Sequence, residues 1–190
     1  MSGPGGPFGV PQGAEAVIKR LSEIEKDSSI KAVVIRINSP GGTVAATQEI
    51  YEKLWKLRKK NIILVASMGD VAASGGYYIA VATDRIMANS GTLTGSIGVI
   101  MEMANVEGLL KKIGVEGVVI KSGRFKDVGS PLRKMSDEEH ALLQSVMDDV
   151  HKQFIEAVAE GRGLALVDVQ TLADGRIFTG RQAKESKLVD

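Results

Sequence analysis

The sequence predicts an α/β domain with a largely parallel sheet. Short runs rich in β-branched residues, such as residues 31–38 and 62–67, have the length and composition of buried strands. Segments with apolar residues at helical spacing separate these runs. Because each helix returns the chain to the same end of the sheet, alternating strands and helices favour parallel pairing.

The first half of the chain contains five predicted elements. Helical spacing of apolar residues predicts a helix over residues 14–26. The strand at 31–38 ends at Ser-Pro-Gly-Gly, a strong turn signal, and Thr43 can cap a helix that runs to about residue 60. The strand at 62–67 leads into a small-residue loop and then a short helix over residues 74–82.

The elements that follow are shorter and more widely separated. Asp-Arg-Ile-Met-Ala is a predicted strand, a glycine-punctuated stretch covers residues 91–100, and a helix is predicted at 106–113. A strand at 117–121 then precedes a long polar loop. Near the end we expect a short helix capped by Asp168, a strand in Arg-Ile-Phe-Thr and a closing helix over residues 181–188.

The longest helix is predicted to begin at a capping box. Ser136-Asp-Glu-Glu139 has the spacing in which a serine and a glutamate satisfy each other's backbone amides, and the helical pattern continues to about Arg162. Its predicted buried side is apolar and consists of Leu142, Leu143, Val146, Val150, Phe154 and Val158.

Composition excludes several classes of function. A net charge of +1 gives no electrostatic reason to expect nucleic acid as a partner. The absence of cysteine excludes disulfides, thiolate catalysis and cysteine-ligated metals. No apolar stretch is long enough to span a bilayer. We interpret residues 1–13 as a flexible Gly/Pro-rich leader and residues 14–190 as one domain.

A metal site and a histidine-based triad are both disfavoured. His140 and His151 are the only histidines, and they lie eleven residues apart on one predicted helix. That spacing is three turns, roughly 16 Å, which is too far for a shared ion. A histidine far along a surface helix is also a poor base for Ser74. No metal is therefore expected.

Ser74 is the candidate nucleophile, and a lysine is the natural base once histidine is excluded. A lysine must lose its proton to act as a base, which requires burial in an apolar site to lower its pKa. Lys121 and Lys126 both lie in or beside the loop after an apolar strand, where α/β folds place their chemistry. The residues alone leave the choice between the two lysines open.

Two glycine pairs could supply backbone donors for an oxyanion: Gly41-Gly42, and Gly75-Gly76 directly after Ser74. Neither pair is specific by itself, because Ser-Pro-Gly-Gly is commonly only a turn. Ser74 also departs from the G-x-S-x-G pattern, since Ala72 stands two residues before it. Small residues at this point could equally serve close helix packing.

Taken together, four motifs resemble bacterial signal peptide peptidase A, a family of Ser-Lys peptidases in the ClpP/crotonase-like superfamily. They are VVIRINSPGGTVAATQEIYEKL, SMGDVAASGGYYIAVATDRIMANSGTLTGSIGVI, IKSGRFKDVGSPLRKMSDEE and DGRIFTGRQAKESKLVD. The resemblance covers about residues 14–190 in the family's order. It implies a ClpP/crotonase-like fold of repeated β-β-α units.

The resemblance also implies roles for single residues. Ser74 corresponds to the nucleophile, Lys126 to the general base, and Ser96 to the serine whose hydroxyl holds the lysine amine. Lys121 matches a position that is not the family's base.

The oxyanion hole implied by the family consists of the backbone amides of Gly41 and Gly75, with Gly42 the nearest substitute for the first. The expected function is a serine endopeptidase that cleaves released signal peptides and other apolar peptides through an acyl-enzyme. No cofactor is implied.

Family members carry a membrane anchor, act on the extracytoplasmic face of the bacterial cell membrane and assemble as homo-oligomers. We therefore expect this chain to be a fragment that lacks the anchor and the first strand. Two alternatives remain: an inactive scaffold or binding module of the same fold, and a crotonase-like acyl-CoA enzyme. The latter shares the two-amide oxyanion hole but normally uses carboxylates.

Overall fold

A computed structural model describes residues 13–190 of the chain. Contacts between residues divide this part into two compact units, the first made of residues 13–98 and 151–190 and the second of residues 99–150. Apart from its last residue, the predicted leader lies outside the described residues. The prediction of one functional domain over residues 14–190 stays a prediction.

The first unit contains a five-stranded sheet, which confirms the α/β class and the largely parallel pairing. The strand order is β1-β2-β4-β5, and β3 pairs with β2 beside this path. The pairs β1–β2, β2–β3 and β2–β4 are parallel, and only β4–β5 is antiparallel. The strands are β1 (Ala32–Ser39), β2 (Ile63–Ala73), β3 (Arg85–Met87), β4 (Leu93–Gly95) and β5 (Ile177–Thr179).

The strand β2 is longer than the sequence predicts. Its first half pairs with β1 and β3 over the predicted residues, but the strand continues past residue 67 to Ala73. The extension forms because Val71, Ala72 and Ala73 pair with the three residues of β4. Ser74 consequently follows the strand directly, and the loop predicted between residue 67 and Ser74 is part of the strand.

Seven helices are described in residues 13–190, and most agree with the predicted positions. They are α1 (Ala14–Lys26), α2 (Val44–Lys59), α3 (Gly75–Ala80), α4 (Glu107–Lys112), α5 (Asp137–Arg162), α6 (Leu166–Leu172) and α7 (Gly180–Glu185).

One predicted helix cap is confirmed in position and one is wrong. Thr43 occupies the N-cap of α2 as predicted, although its side chain makes no capping hydrogen bond. Asp168 lies in the first turn of α6, whose N-cap is Ala165. The closing helix also ends at Glu185, earlier than predicted, and Leu188 beyond it is buried. A short tail can pack its apolar residues without remaining helical.

The core of the first unit packs α2, α3 and the second half of α5 against the sheet. Tyr77 of α3 is fully buried, and its hydroxyl donates to the carbonyl of Leu188 at 2.8 Å. Phe154 and Val158 of α5 are buried as predicted. These contacts fix α3, the helix that follows Ser74.

The second unit has little apolar core. The predicted strand at 117–121 is wrong: this segment is not a strand, and the side chains of Val118 and Ile120 are 82% and 98% exposed. Within residues 99–150 no other strand is present to pair with it, and an unpaired strand leaves its backbone groups without partners. Leu142 and Val146 of α5 are likewise exposed, contrary to prediction.

The capping box at the start of α5 is confirmed. The Ser136 amide donates to the Glu139 carboxylate at 2.9 Å, and the Glu139 amide donates to the Ser136 hydroxyl at 3.2 Å. A local sequence motif therefore fixes where the longest helix begins.

Candidate active site

Ser74 lies at a sharp turn between β2 and α3. Its φ of 51° and ψ of −121° form a conformation that residues with side chains rarely adopt, at a cost of about 1–3 kcal/mol. The Ser74 amide donates to the carbonyl of Gly95 on β4 at 2.8 Å, and its carbonyl accepts from the Tyr78 amide at 2.9 Å. A strained strand-to-helix turn of this kind presents nucleophilic serines in other hydrolases, even though the G-x-S-x-G pattern is absent here.

The Ser-Pro-Gly-Gly loop after β1 lies against Ser74. A Cβ atom placed on Gly41 would be 3.0 Å from the Ser74 Cβ and 3.3 Å from both the Ser74 Oγ and the Gly75 nitrogen. The φ of Gly41 is +131°, which also favours glycine. A Cβ on Gly75 would be 2.7 Å from the Thr47 Oγ1 and 3.1 Å from the Gly42 nitrogen. The structure thus brings both predicted glycine pairs to the predicted nucleophile.

Three polar residues that sequence reasoning missed support this loop. The Asn38 carboxamide oxygen accepts from the Val71 amide at 3.1 Å, where the register between β1 and β2 shifts. The Ser39 hydroxyl accepts from the Gly41 amide at 3.2 Å. Thr47, buried on α2, places its hydroxyl beside Gly75. The available signal was the run of polar residues at the carboxyl end of a strand.

Ser96 lies next to this turn in the chain segment that follows β4. Its φ of 50° is also positive, and its amide donates to the Arg176 carbonyl at 2.9 Å. The preceding residue, Gly95, supplies the carbonyl that accepts from the Ser74 amide. Ser96 is half-buried. Ser74 and Ser96 are therefore held near each other by the backbone hydrogen bond between Ser74 and Gly95, the residue before Ser96.

An apolar cavity of about 440 Å³ opens beside the glycines. Gly41, Gly42, Gly75 and Gly76 line one end of it. Its walls are mainly aliphatic side chains from α1, β1, α2 and α3: Val17, Leu21, Ile35, Ile37, Ile50, Leu54 and Ile79. A cavity with this lining suits an uncharged, apolar group.

The two candidate lysines lie in the second unit and differ in their environment. The Lys121 ammonium pairs with the Asp127 carboxylate at 2.5 Å and donates to the Arg124 carbonyl at 3.0 Å. Arg133 and then Lys121 hold the pKa of the Asp127 carboxyl well below its usual range, so this acid is an anion that pairs with the Lys121 side chain. The Lys126 side chain is exposed, so the burial expected of a lysine base is not met, and its ammonium has no hydrogen-bond or ion-pair partner within residues 99–150.

Neither a metal cluster nor a membrane span is present in the described part of the chain. Residues 13–190 contain no group of three or more histidines and acids placed to hold an ion. No helix among them is both long and apolar enough to cross a bilayer.

Comparison with known protein families gives a match over most of the chain. The sequence pattern of Peptidase family S49 matches residues 56–190. Membership of this family is consistent with the ClpP/crotonase-like fold that the sequence predicts.

Individual relatives match nearly the whole chain. The chain is 53% identical over 176 residues to "Putative protease slr0021" of Synechocystis sp.. The aligned region covers 93% of this chain and 63% of that protein. It is 42% identical over 173 residues to "Putative signal peptide peptidase SppA" of Enterococcus faecium, covering 91% and 50%. It is 34% identical over 189 residues to "Serine protease SPPA, chloroplastic" of Arabidopsis thaliana, covering 97% and 28%. The chain therefore spans only part of the length of each relative.

Proposed function

This chain belongs to peptidase family S49, and on that premise we propose that it carries the catalytic machinery of a serine endopeptidase. The single observation that supports this best is the strained turn at Ser74 with two glycine pairs packed around it. In the proposed reaction the Ser74 hydroxyl attacks a peptide carbonyl and the amine fragment leaves. Water then hydrolyses the acyl-enzyme.

The proposed general base is Lys126. It takes the serine proton during attack, passes it to the leaving amine and then activates the water for the second step. Lys121 is a poor candidate because its ammonium is held in an ion pair with Asp127. The resemblance between SGRFKD and the family's motif supports Lys126 instead. Ser96 is proposed to hold the lysine amine in place.

The proposed oxyanion donors are the amides of Gly41 and Gly75. A Cβ on Gly41 would lie 3.3 Å from both the Ser74 hydroxyl oxygen and the Gly75 nitrogen, and this close approach of the two loops supports the role. The Gly41 amide currently donates to the Ser39 hydroxyl, so it must exchange that hydrogen bond for one to the oxyanion. The Gly42 amide, 3.1 Å from the position of a Cβ on Gly75, is the nearest substitute.

The proposed substrates are released signal peptides and other apolar peptides. The aliphatic cavity beside the glycines can take an apolar side chain of such a peptide. The Enterococcus faecium relative named a signal peptide peptidase supports this substrate class. By the same resemblance we propose that the whole protein is an anchored homo-oligomer on the extracytoplasmic face of the membrane.

The dyad can be tested with a fluorophosphonate probe and intact mass measurement on the wild-type chain and on Ser74→Ala, Lys126→Ala and Lys121→Ala. We expect a single adduct that is absent in Ser74→Ala. Lys126→Ala should slow its formation by about 10²–10⁴-fold, the usual contribution of a general base. Lys121→Ala should slow adduct formation less than Lys126→Ala, since its amine takes no part in proton transfer and contributes only its ion pair with Asp127.

Two outcomes would contradict the proposal. If labelling is lost in Lys121→Ala but retained in Lys126→Ala, Lys121 is the base and the proposed assignment to Lys126 is wrong. A folded wild-type chain that forms no adduct and cleaves no apolar peptide at any pH would favour the inactive scaffold.

A further inference from the structure

The second unit is organised around charged side chains. Among residues 99–150, all of which the structure describes, only Glu139 is buried, with 5% of its surface exposed. Charged residues of alternating sign recur every six positions here: Lys121, Asp127, Arg133 and Glu139. Each contacts the next through an ion pair, and we call these four residues the ion-pair network.

Arg133 is the centre of this network. Its Nε donates to the Asp127 carboxylate at 2.8 Å, and its two terminal nitrogens form a fork with the Glu139 carboxylate, one of them at 2.8 Å. The same two nitrogens also donate to the carbonyls of Lys134 and Asp127, at 3.2 and 3.4 Å. The five N–H groups of the guanidinium therefore have five acceptors.

The ion-pair network joins residues on both sides of Lys126. Lys126 directly precedes Asp127, whose carboxylate is held by Arg133 on one oxygen and Lys121 on the other. The Lys126 amide donates to the Gly123 carbonyl at 3.1 Å, and the Ser130 amide donates to the Asp127 carbonyl at 3.0 Å. These consecutive turns have no apolar core beneath them, so the ion pairs fix their conformation.

We propose that Arg133 is a positioning residue for the reaction, because it fixes through Asp127 and Glu139 the turn that presents Lys126. This inference rests on the proposed role of Lys126 as general base. A base that is misplaced by about 1 Å can lose about 10²-fold in rate. A lysine at position 133 keeps the charge but cannot donate along the same fork, so Arg and Lys are not equivalent here.

The test compares Arg133→Ala and Arg133→Lys with wild type in the full chain, using an apolar peptide substrate. We expect kcat per folded molecule to fall about 10²-fold in Arg133→Ala and about tenfold in Arg133→Lys. KM should stay within about twofold, since Arg133 does not line the substrate cavity. Hydrogen exchange of residues 121–133 should accelerate in both variants.

Lys111→Ala is the matched control. It removes an ion pair with Glu107 in the same unit, at 2.6 Å on the surface of α4, without touching the network. We expect it to change neither kcat nor the exchange of residues 121–133. Circular dichroism gives the folded fraction by which every rate is divided.

Each outcome decides between the proposals. If Lys126→Ala is inactive while Arg133→Ala is as fast as wild type, the positioning role is wrong and the dyad stands. If the loss of rate equals the loss of folded protein, Arg133 is only structural and the inference also fails. If Lys126→Ala keeps the wild-type rate, the proposed function itself is wrong, and the positioning role falls with it.

Discussion

The strained backbone at Ser74 gives a stability prediction with an unusual sign. In ordinary positions glycine destabilises a protein relative to alanine by about 0.5–1 kcal/mol, because it has more chain entropy to lose. At a φ of 51° and a ψ of −121° an alanine retains the strain of about 1–3 kcal/mol and a glycine does not. S74G should therefore be more stable than S74A by roughly 0.5–2 kcal/mol, the difference between these two effects.

The assay is thermal and urea unfolding of both variants, neither of which can be labelled at position 74. For a chain of this length, about 1 kcal/mol corresponds to about 2–4 °C in Tm, so S74G should melt about 1–8 °C above S74A. Position 74 is also the N-cap of α3, where glycine is favoured over alanine for a separate reason.

Ala165→Gly measures how much glycine stabilises an ordinary helix N-cap relative to alanine. Ala165 is the N-cap of α6 with an ordinary φ of −66°, and it is exposed. The gain of S74G over S74A should exceed the gain of Ala165→Gly over wild type. If the two gains are equal, or if S74A is the more stable variant, the turn at Ser74 is not strained and the reasoning from its conformation is refuted.

Three further experiments examine the packing around α3 and the ion-pair network. Gly161→Ala would place a Cβ 2.1 Å from the carbonyl oxygen of Val81 at the end of α3, so urea unfolding should show a loss of about 1–3 kcal/mol; wild-type stability would contradict this close approach. Tyr77→Phe leaves the Leu188 carbonyl without its buried donor, and the same assay should show a loss of about 1–3 kcal/mol, whereas an unchanged midpoint would mean that another donor replaces the hydroxyl. The facing Arg133 guanidinium lowers the pKa of Glu139 from 4.5 to about 2, so the stabilisation by this carboxylate is complete above pH 4.5 and is lost as the pH falls towards 2. Hydrogen exchange of residues 121–139 should accelerate over that interval. Asp127, whose pKa is lowered by the same guanidinium, also gains a proton at acid pH, so Glu139→Gln should reduce this acceleration without abolishing it, and an undiminished acceleration would contradict the role of Glu139.

Local patterns of the sequence were sufficient for most helices. The bounds of α1 agree with the prediction, and the Ser136–Glu139 capping box begins α5 where expected. These features depend on residues three or four positions apart, so the chain encodes them without reference to distant segments. The sequence also placed a serine before two glycines and a lysine in a polar loop, which was enough to name the candidate residues.

Long-range pairing decided what the patterns could not. The extension of β2 to Ala73 requires β4, and the segment 117–121 is not a strand despite its β-branched residues, because its unit has no strand to pair with. The same holds for Leu142 and Val146, whose helical spacing predicted burial but whose side chains lie in a unit without an apolar core.

The sequence by itself determined which residue types were available for chemistry: a serine directly before a glycine pair, no cysteine, two histidines far apart on one helix, and the candidate lysines Lys121 and Lys126. Only the tertiary structure decided the strained turn at Ser74 and the approach of Gly41 to its hydroxyl, because both need β4 and the loop after β1 to meet the end of β2. It also decided that Lys121 is held by Asp127. The sequence specifies which side chains are present, whereas the distances between them in the site depend on contacts between segments far apart in sequence.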